Sequence, residues 1–305
     1  MTGGEVTGRV TAIVVAHDSA RVLPACLLAF AAQAVPVIVV DNASRDDSAE
    51  IAAAHGAELL KLPRNEGYGR GNDAGIRAAG SEFVLVCNPD AVPDPGSVKR
   101  LVAAADAYPD AGLLAPRILE PSGRFFFQPR SLLAPYLPNP GGRLSPPEGD
   151  CCAPFLSGAC FLMRRALYLE LGGFDPAIFL FYEDDDLCRR VADSGHALVH
   201  VHEAIVRHGR GESSAPEPGR IFRSRWHQAW SRAHVSRKYG LANPAPGMFA
   251  VNAAKTVLSA LTFRRALVER YGGSAAGALA FIRGRTALQQ QGLERRAGPV
   301  ARERT

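Results

Sequence analysis

Val35-Pro36-Val37-Ile38-Val39-Val40-Asp41-Asn42-Ala43-Ser44 is a short apolar run, rich in β-branched residues, that stops on a cluster of turn-forming polar residues. A run that is apolar throughout, instead of alternating, predicts a strand over Val35–Val40 buried on both faces, as in a parallel sheet. The same grammar extends in both directions. Upstream, Arg9–Ala16 reads as another buried strand and Ala20–Gln33 as the Ala/Leu-rich helix between them. Downstream come a helix over Asp46–His55, a short strand over Glu58–Leu62, a Gly-rich loop over Pro63–Asn72 and a helix over Asp73–Ala79. A fourth strand, Glu82–Cys87, ends at Asn88-Pro89. Strands alternating with helices predict an α/β domain, its mostly parallel central sheet flanked by helices and joined by right-handed crossovers.

The alternation continues with a helix over Pro95–Ala105 and a strand over Gly112–Pro116. It stops at Pro121–Pro154, which holds Pro121, Pro129, Pro135, Pro138, Pro140, Pro146, Pro147 and Pro154. A loop of that length inside a compact domain usually serves function. Order returns with a strand over Phe155–Met163, helices over Arg164–Leu171 and Tyr182–Ser194, and an extended segment over Ala197–Val206. Two long helices are expected at the end, over Arg220–Tyr239 and Asn252–Glu269, making residues 216–305 a helical C-terminal extension.

Composition narrows the function classes. The chain has 305 residues, 47% of them hydrophobic and 21% charged, which excludes a disordered charged tail and supplies ample material for a core. Its six cysteines form no C-x-x-C pair, so a zinc ribbon or redox motif is not expected, and a reducing cytoplasmic setting is. Neither a signal-peptide pattern nor a membrane-spanning apolar stretch is evident; the nearest, Ala245–Phe263, carries Pro246, Asn252 and Lys255. Charge is uneven. Residues 216–305 hold sixteen Lys/Arg against four Asp/Glu, a net +12, while residues 1–215 are net −7. A basic extension with interleaved Phe222, Trp226, Trp230, Tyr239, Phe249 and Phe263 suits an anionic membrane surface. The same pattern fits a solvated helical face. A nucleic-acid partner is not expected, because the larger part of the chain is acidic and no recognition motif is present.

Ligands of open parallel sheets bind beyond the carboxyl ends of the strands. Three such ends are polar here: His17-Asp18-Ser19, Asp41-Asn42-Ala43-Ser44 and Asn88-Pro89-Asp90. Any one alone reads as a turn or helix cap; three in one sheet point to a ligand crevice. The stretch Asn65-Glu66-Gly67-Tyr68-Gly69-Arg70-Gly71-Asn72 does not meet G-x-G-x-x-G spacing and has no phosphate-binding lysine, yet its backbone could approach a phosphate. Glu183-Asp184-Asp185-Asp186 opens a predicted helix, where acids favour the dipole. Four neighbouring carboxylates also repel, which raises the pKa of at least one and suits it to general-base work. His208 ends an extended segment alone, and becomes a metal-ligand candidate if Asp90 holds a cation.

In this order the motifs resemble those of the family 2 glycosyltransferases of GT-A fold, and more narrowly the bacterial rhamnosyltransferase-like branch. The resemblance rests on Val39–Ser48, Asn65–Gly75, Asn88-Pro89-Asp90-Ala91, Ser157-Gly158-Ala159-Cys160, Gly172-Gly173-Phe174-Asp175, Tyr182–Arg190 and His208. It runs from about residue 10 to 240, and implies a catalytic GT-A domain over residues 8–215. It also implies roles by position. Asp41 contacts the donor's base, with Ala16, Asp18, Asn42 and Ser44 around it. Asn65, Gly67, Gly69, Gly71 and Asn72 lie along the nucleotide. Asn88, Asp90, Gly158 and Ala159 border the donor sugar. Asp90 and His208 hold Mg2+ or Mn2+, and Asp184 is the general base, with Glu183 the neighbouring candidate. Two positions depart from the family: His17-Asp18 stands where an aromatic residue and Asn are usual, and Asn88 where many members have Asp, which implies weaker, exchangeable metal binding.

The implied reaction is inverting transfer of a sugar from a nucleotide diphosphate to a hydroxyl of a lipid-linked or growing cell-surface glycan. The branch favours dTDP-rhamnose, with UDP- and GDP-sugars open. The extension would then hold the enzyme at the cytoplasmic face of the bacterial inner membrane, against membrane or acceptor. A sugar nucleotidyltransferase should carry a Gly-rich, Arg-containing loop after the first strand, which Ala16–Leu23 lacks. The remaining alternative is a non-catalytic glycan-binding or scaffold protein of a polysaccharide assembly complex.

Overall fold

The computed structural model describes residues 8–127, 131–133, 146–209, 211, 213 and 217–294. Within the Pro-rich stretch, Pro129, Pro135, Pro138 and Pro140 lie outside the described residues, as do the expected boundary at 215/216 and the basic residues beyond 294.

The chain forms β1 (Val10–Ala16), α1 (Leu23–Ala31), β2 (Val37–Asp41), α2 (Ser48–Ala54), β3 (Glu58–Lys61), α3 (Tyr68–Ala78) and β4 (Phe83–Cys87). There follow β5 (Ala91–Pro93), α4 (Ser97–Ala107), β6 (Ala111–Leu119), β7 (Phe125–Phe126), β8 (Cys151–Cys152), β9 (Cys160–Arg164), α5 (Arg165–Glu170), α6 (Glu183–Asp193) and β10 (Ala197–His208). Helices α7 (Arg220–Lys238), α8 (Ala245–Leu261), α9 (Arg265–Ile282) and α10 (Ala287–Gln290) complete it. It divides into two compact units: residues 1–175 with 183–216, and residues 176–182 with 217–305.

The first unit is built on one sheet of order β3-β2-β1-β4-β9-β6-β10-β5, with β7 beside β6 and β8 beside β10. β3, β2, β1 and β4 run parallel, as do β6 and β10. β9 is antiparallel to both neighbours, β4 and β6. Apolar layers cover both faces, as continuous apolar strands require. One layer packs Leu23, Phe30 and Leu101 on the sheet. The other packs Ile76, Tyr168, Phe174 and Leu187.

Two expectations are corrected. The Gly-rich segment 68–72 is not a loop but the start of α3. Its glycines weaken the helix by about 1 kcal/mol each relative to Ala. The compensation is close packing: a Cβ on Gly71 would sit 2.9 Å from Val15 Cγ1, and one on Gly75 2.6 Å from Ile13 Cγ2. The expected helix over Asn252–Glu269 is broken between α8 and α9, where Phe263 turns left-handed at φ 53°. Strands β5, β7 and β8 have only two or three residues, too few for a sequence period to reveal.

The second unit packs α7, α9 and α10 around Trp226, Trp230, Ala278 and Phe281. Residues 176–182 belong to it: Phe179 stacks on His227 with ring centroids 4.7 Å apart, and Ser231 Oγ donates to the Leu180 carbonyl at 2.9 Å. Gly273 and Gly277 let α9 lie against the α7 backbone, since a Cβ on either would meet the carbonyl oxygen of Phe222 or Trp226 at 2.3 or 2.1 Å. No helix among the described residues is long and apolar enough to cross a membrane.

Candidate active site

The parallel register aligns three polar strand ends on one sheet edge. Ala16 pairs with Asp41, and Val14 with Cys87, so the residues after β1, β2 and β4 emerge side by side. Asp41 is buried and its Oδ1 accepts from the Ser44 amide at 3.0 Å, closing a turn in which Ala43 is left-handed. Asp18, also left-handed, donates its amide to Ser44 Oγ at 3.1 Å and accepts from the Arg45 amide at 2.7 Å. Ala16 lies beneath, its carbonyl taken by the Asn42 amide. Ser44 and Asp18 keep part of their surface open.

Other residues expected to line the nucleotide face inward. Asn42 is almost wholly buried: Nδ2 donates to Asn65 Oδ1 and the Gly67 carbonyl, both at 3.1 Å, and Oδ1 accepts from the Glu66 amide at 2.8 Å. Its geometry is that of a residue positioning the 65–67 turn. Asn65 Oδ1 reinforces that turn by accepting from the Gly67 amide at 2.9 Å. Gly69 fits against Phe174, whose Cβ lies 2.9 Å from where a Cβ of residue 69 would be. Gly71 and Asn72 are buried too, and Asn72 donates to the Tyr68 carbonyl one turn back.

Asp90 and His208 are 118 residues apart in sequence, and the sheet brings them together. β5 pairs antiparallel with the end of β10, placing His208 opposite Ala91. His208 Nε2 lies 3.3 Å from Asp90 Oδ1 and 3.4 Å from Asn88 Nδ2, and Ser213 Oγ donates to Asp90 Oδ1 at 2.7 Å. Burial works against the Asp90 carboxylate, but His208 and Ser213 outweigh it and hold the group below the usual carboxylate range. An ionised, desolvated carboxylate beside an imidazole suits Mg2+ or Mn2+. Among the described residues no group of three or more His, Cys, Asp or Glu could hold a metal unaided. Asp90 and His208 therefore fit as a partial ligand set that a bound diphosphate and water would complete.

The next link is backbone. Asn88 donates its amide to the Ala159 carbonyl at 2.9 Å, extending the β4–β9 pairing, so the cation motif abuts Gly158-Ala159. Gly158 donates its amide to Asp184 Oδ2 at 3.0 Å, and its carbonyl accepts from Tyr68 OH at 2.5 Å. Asp184 stands in the first turn of α6, which Glu183 opens directly after Phe181 and Tyr182, two consecutive non-glycine residues in the left-handed region. Each such residue costs roughly 1–2 kcal/mol, and strain of this kind gathers at functional sites. Burial pushes the Asp184 carboxyl up, against hydrogen bonds from the Gly158 and Asp185 amides. Glu183 is buried and pushed further up by desolvation and by repulsion from Asp184 and Asp185. Asp185 is pushed up to about 7 by burial and by repulsion from Asp184, although Ser131 Oγ donates to it at 2.6 Å. Asp186 is fully buried and paired with Arg190 at 2.9 Å, a structural tie within α6.

Tyr68, Ser131 and Ser213 are site residues that motif reading assigned no role. Tyr68 stands inside the Gly-rich motif; the two serines had no sequence signal, since only folding brings them to Asp185 and Asp90.

Gly158 sets the reach of Asp184. A Cβ there would lie 3.1 Å from Asp184 Cβ and 3.3 Å from its Oδ2. Gly158→Ala should fold normally and lower kcat by about 10- to 100-fold through displacement of the carboxylate. Steady-state kinetics beside a thermal melt checks this; unchanged kcat would mean that the position of Asp184 is not limiting.

Residues 11–172 match the family described as Glycosyl transferase family 2, and residues 147–229 match Glycosyltransferase like family 2. The chain is 31% identical over 238 residues to the N-acetylglucosaminyl-diphospho-decaprenol L-rhamnosyltransferase of Mycobacterium tuberculosis, an overlap of 65% of this chain and 78% of that protein. It is 26% identical over 169 residues to the low-salt glycan biosynthesis hexosyltransferase Agl10 of Haloferax volcanii, covering 50% of this chain and 52% of that one. In fold it is similar to the mannosyltransferase PcManGT of Pyrobaculum calidifontis, solved with GDP-Man and Mn2+, at TM-score 0.55 and 19% identity over 90% of this chain and 87% of that one. Staphylococcus aureus TarS 1–349 superposes at TM-score 0.53 and 15% identity, covering 91% of this chain and 92% of that one.

Proposed function

The chain belongs to the family 2 glycosyltransferases, in the rhamnosyltransferase-like branch, and from that premise we propose that it moves L-rhamnose from dTDP-rhamnose to a hydroxyl of a lipid-linked glycan, with inversion. The observation that carries the chemistry is the continuous link Asp90–Asn88–Ala159–Gly158–Asp184. It joins a cation-suited carboxylate to a carboxylate raised toward the pKa of a useful base. The likeness to the mycobacterial enzyme supports the sugar and the kind of acceptor.

In this reading Asp41 and Asp18 receive the base, and Gly158 and Ala159 border the sugar. Asp184 accepts the proton of the acceptor hydroxyl as its oxygen attacks the anomeric carbon. The bond from that carbon to the diphosphate oxygen breaks on the opposite face, so the configuration inverts and no covalent enzyme intermediate forms. Asp90 and His208 would hold Mg2+ or Mn2+, which when bound neutralises the charge developing on the departing diphosphate. Tyr68, through its bond to the Gly158 carbonyl, keeps the sugar-side backbone fixed while Asp184 works. A lipid-linked acceptor places the reaction at a membrane, and the proposed location is the cytoplasmic face of the inner membrane.

The test is nucleotide release by the purified full chain from dTDP-rhamnose, UDP- and GDP-sugars, with Mn2+ and a lipid-diphosphate glycan acceptor. Release of dTDP matched by a rhamnosylated product is expected. Release from a UDP- or GDP-sugar alone would overturn the donor assignment. No turnover and no thermal stabilisation with any donor would overturn the enzymatic reading in favour of a glycan-binding scaffold.

A further inference from the structure

Helix α8 packs Ala245, Met248 and Phe249 on the core of its unit, yet is apolar on its outward side as well. Its polar residues Asn252, Thr256 and Ser259 lie on the covered side; Asn252 and Thr256 bond back to carbonyls one turn earlier, at 2.8 and 2.7 Å, and Ser259 is buried. Its outward side is apolar. Val251, Val257, Leu258 and Leu261 are 53%, 61%, 64% and 72% exposed. At 100° per residue, positions 247, 250, 251, 254, 257, 258 and 261 share one face, and all are Gly, Ala, Val or Leu. A water-facing helix shows the reverse pattern. The stripe ends at Phe263, which is 93% exposed and held out by the left-handed turn between α8 and α9. Arg264 and Arg265 follow directly, both exposed, and Lys255 flanks the stripe.

We propose that the outward face of α8 and the Phe263 turn form a membrane-insertion element, seating this unit in the interface of a bilayer rich in anionic phospholipid. Charge complementarity selects the occupant. The stripe is bordered by the cations Lys255, Arg264 and Arg265, in a segment 216–305 of net charge +12, so an anionic headgroup layer attracts this surface, whereas a second copy brings the same cations against it. Leu258, Leu261 and Phe263 enter the acyl boundary, and Arg264, Arg265 and Lys255 remain among the phosphates. The element gives the lipid-linked acceptor reading its surface and rests on that reading for its purpose. Its test uses neither donor nor acceptor, so the two can fail separately.

The experiment is flotation of the full chain with phosphatidylglycerol-containing vesicles and with pure phosphatidylcholine vesicles. Expected is binding to the anionic vesicles that weakens with salt. It should fall at least about tenfold in Leu258→Ser/Leu261→Ser/Phe263→Ser. These side chains are exposed, so the melting temperature and transfer to a water-soluble acceptor should be unchanged. In a separate Phe263→Trp variant, indole emission should shift to the blue and be quenched by brominated acyl chains. Equal flotation of parent and triple variant, or an indole emission from the Phe263→Trp variant that is indifferent to vesicles, would overturn the proposal. So would a parent dimer by sedimentation equilibrium that the triple variant dissolves, since that would assign the face to a second copy.

Discussion

Asp184→Asn is expected to lower kcat for glycosyl transfer by about 10²–10⁴-fold while leaving nucleotide affinity close to that of the parent. The substitution is nearly isosteric, and its amide oxygen can still accept from the Gly158 amide, which now donates to Asp184 Oδ2 at 3.0 Å. What it removes is the bond that Oδ1 accepts from the Asp185 amide at 3.0 Å and, in the proposed mechanism, the capacity to take a proton from the acceptor hydroxyl. Glu183 provides the internal comparison. It is buried, and Oε2 has no hydrogen-bond partner among the described residues. Desolvation and two neighbouring acids push its pKa well up, which favours its protonated form and works against a role as base. Glu183→Gln therefore costs far less than Asp184→Asn. A reversal of that order in kcat would transfer the base role to Glu183.

The acid limb of the pH profile depends on the same carboxyl group. A base must be ionised to act, so kcat rises with pH through the pKa of Asp184. Burial raises that pKa, placing the acid limb above the ordinary carboxylate range. Repulsion from Asp184 helps push Asp185 up to about 7, whereas burial is what raises Asp184 itself. Asp185→Asn should therefore leave the acid limb of kcat close to its position in the parent. A large shift of the limb in either direction would contradict this electrostatic account.

The sheet core and the order of the chemical motifs were legible because both are written locally. Apolar runs ending in Asp, Asn or Ser announce buried strands with polar ends, and the register then carries Ala16, Asp41 and Asn88 to one edge. The Gly-rich stretch misled for a physical reason: glycine signals loops by its freedom, but Gly71 and Gly75 serve a helix pressed onto β1, and that neighbour is invisible in sequence. The part Asn42 plays in positioning the 65–67 turn was not legible either, because its three inward bonds go to residues more than twenty positions away. Ser213 on Asp90 and Ser131 on Asp185 are long-range pairings without local pattern. The apolar outward face of α8 was half legible: its apolar residues were plain, but which side they face depends on the packing of α9.

Asp90→Asn is expected to lower kcat/KM by about 10²–10³-fold or more and to abolish the extra thermal stabilisation that Mn2+ gives over nucleoside diphosphate alone. The fold should survive. Ser213 can still donate to the amide oxygen, and the variant no longer buries a charge that desolvation disfavours. A melting temperature near the parent's with loss of the Mn2+-dependent shift separates ligation from a structural role; a retained shift would remove Asp90 from the ligand set. His208→Ala should weaken metal dependence by a smaller factor, because a neutral imidazole contributes a bond but no charge. Asn88 gives the opposite sign. Its side chain lies 3.4 Å from His208 Nε2, so a carboxylate there would stand within reach of the same cation. Asn88→Asp should therefore lower the Mn2+ concentration needed for half-maximal activity. A rise in that concentration would mean that Asn88 holds His208 in place by donating to its ring, and that the second charge repels Asp90 more than it attracts the metal.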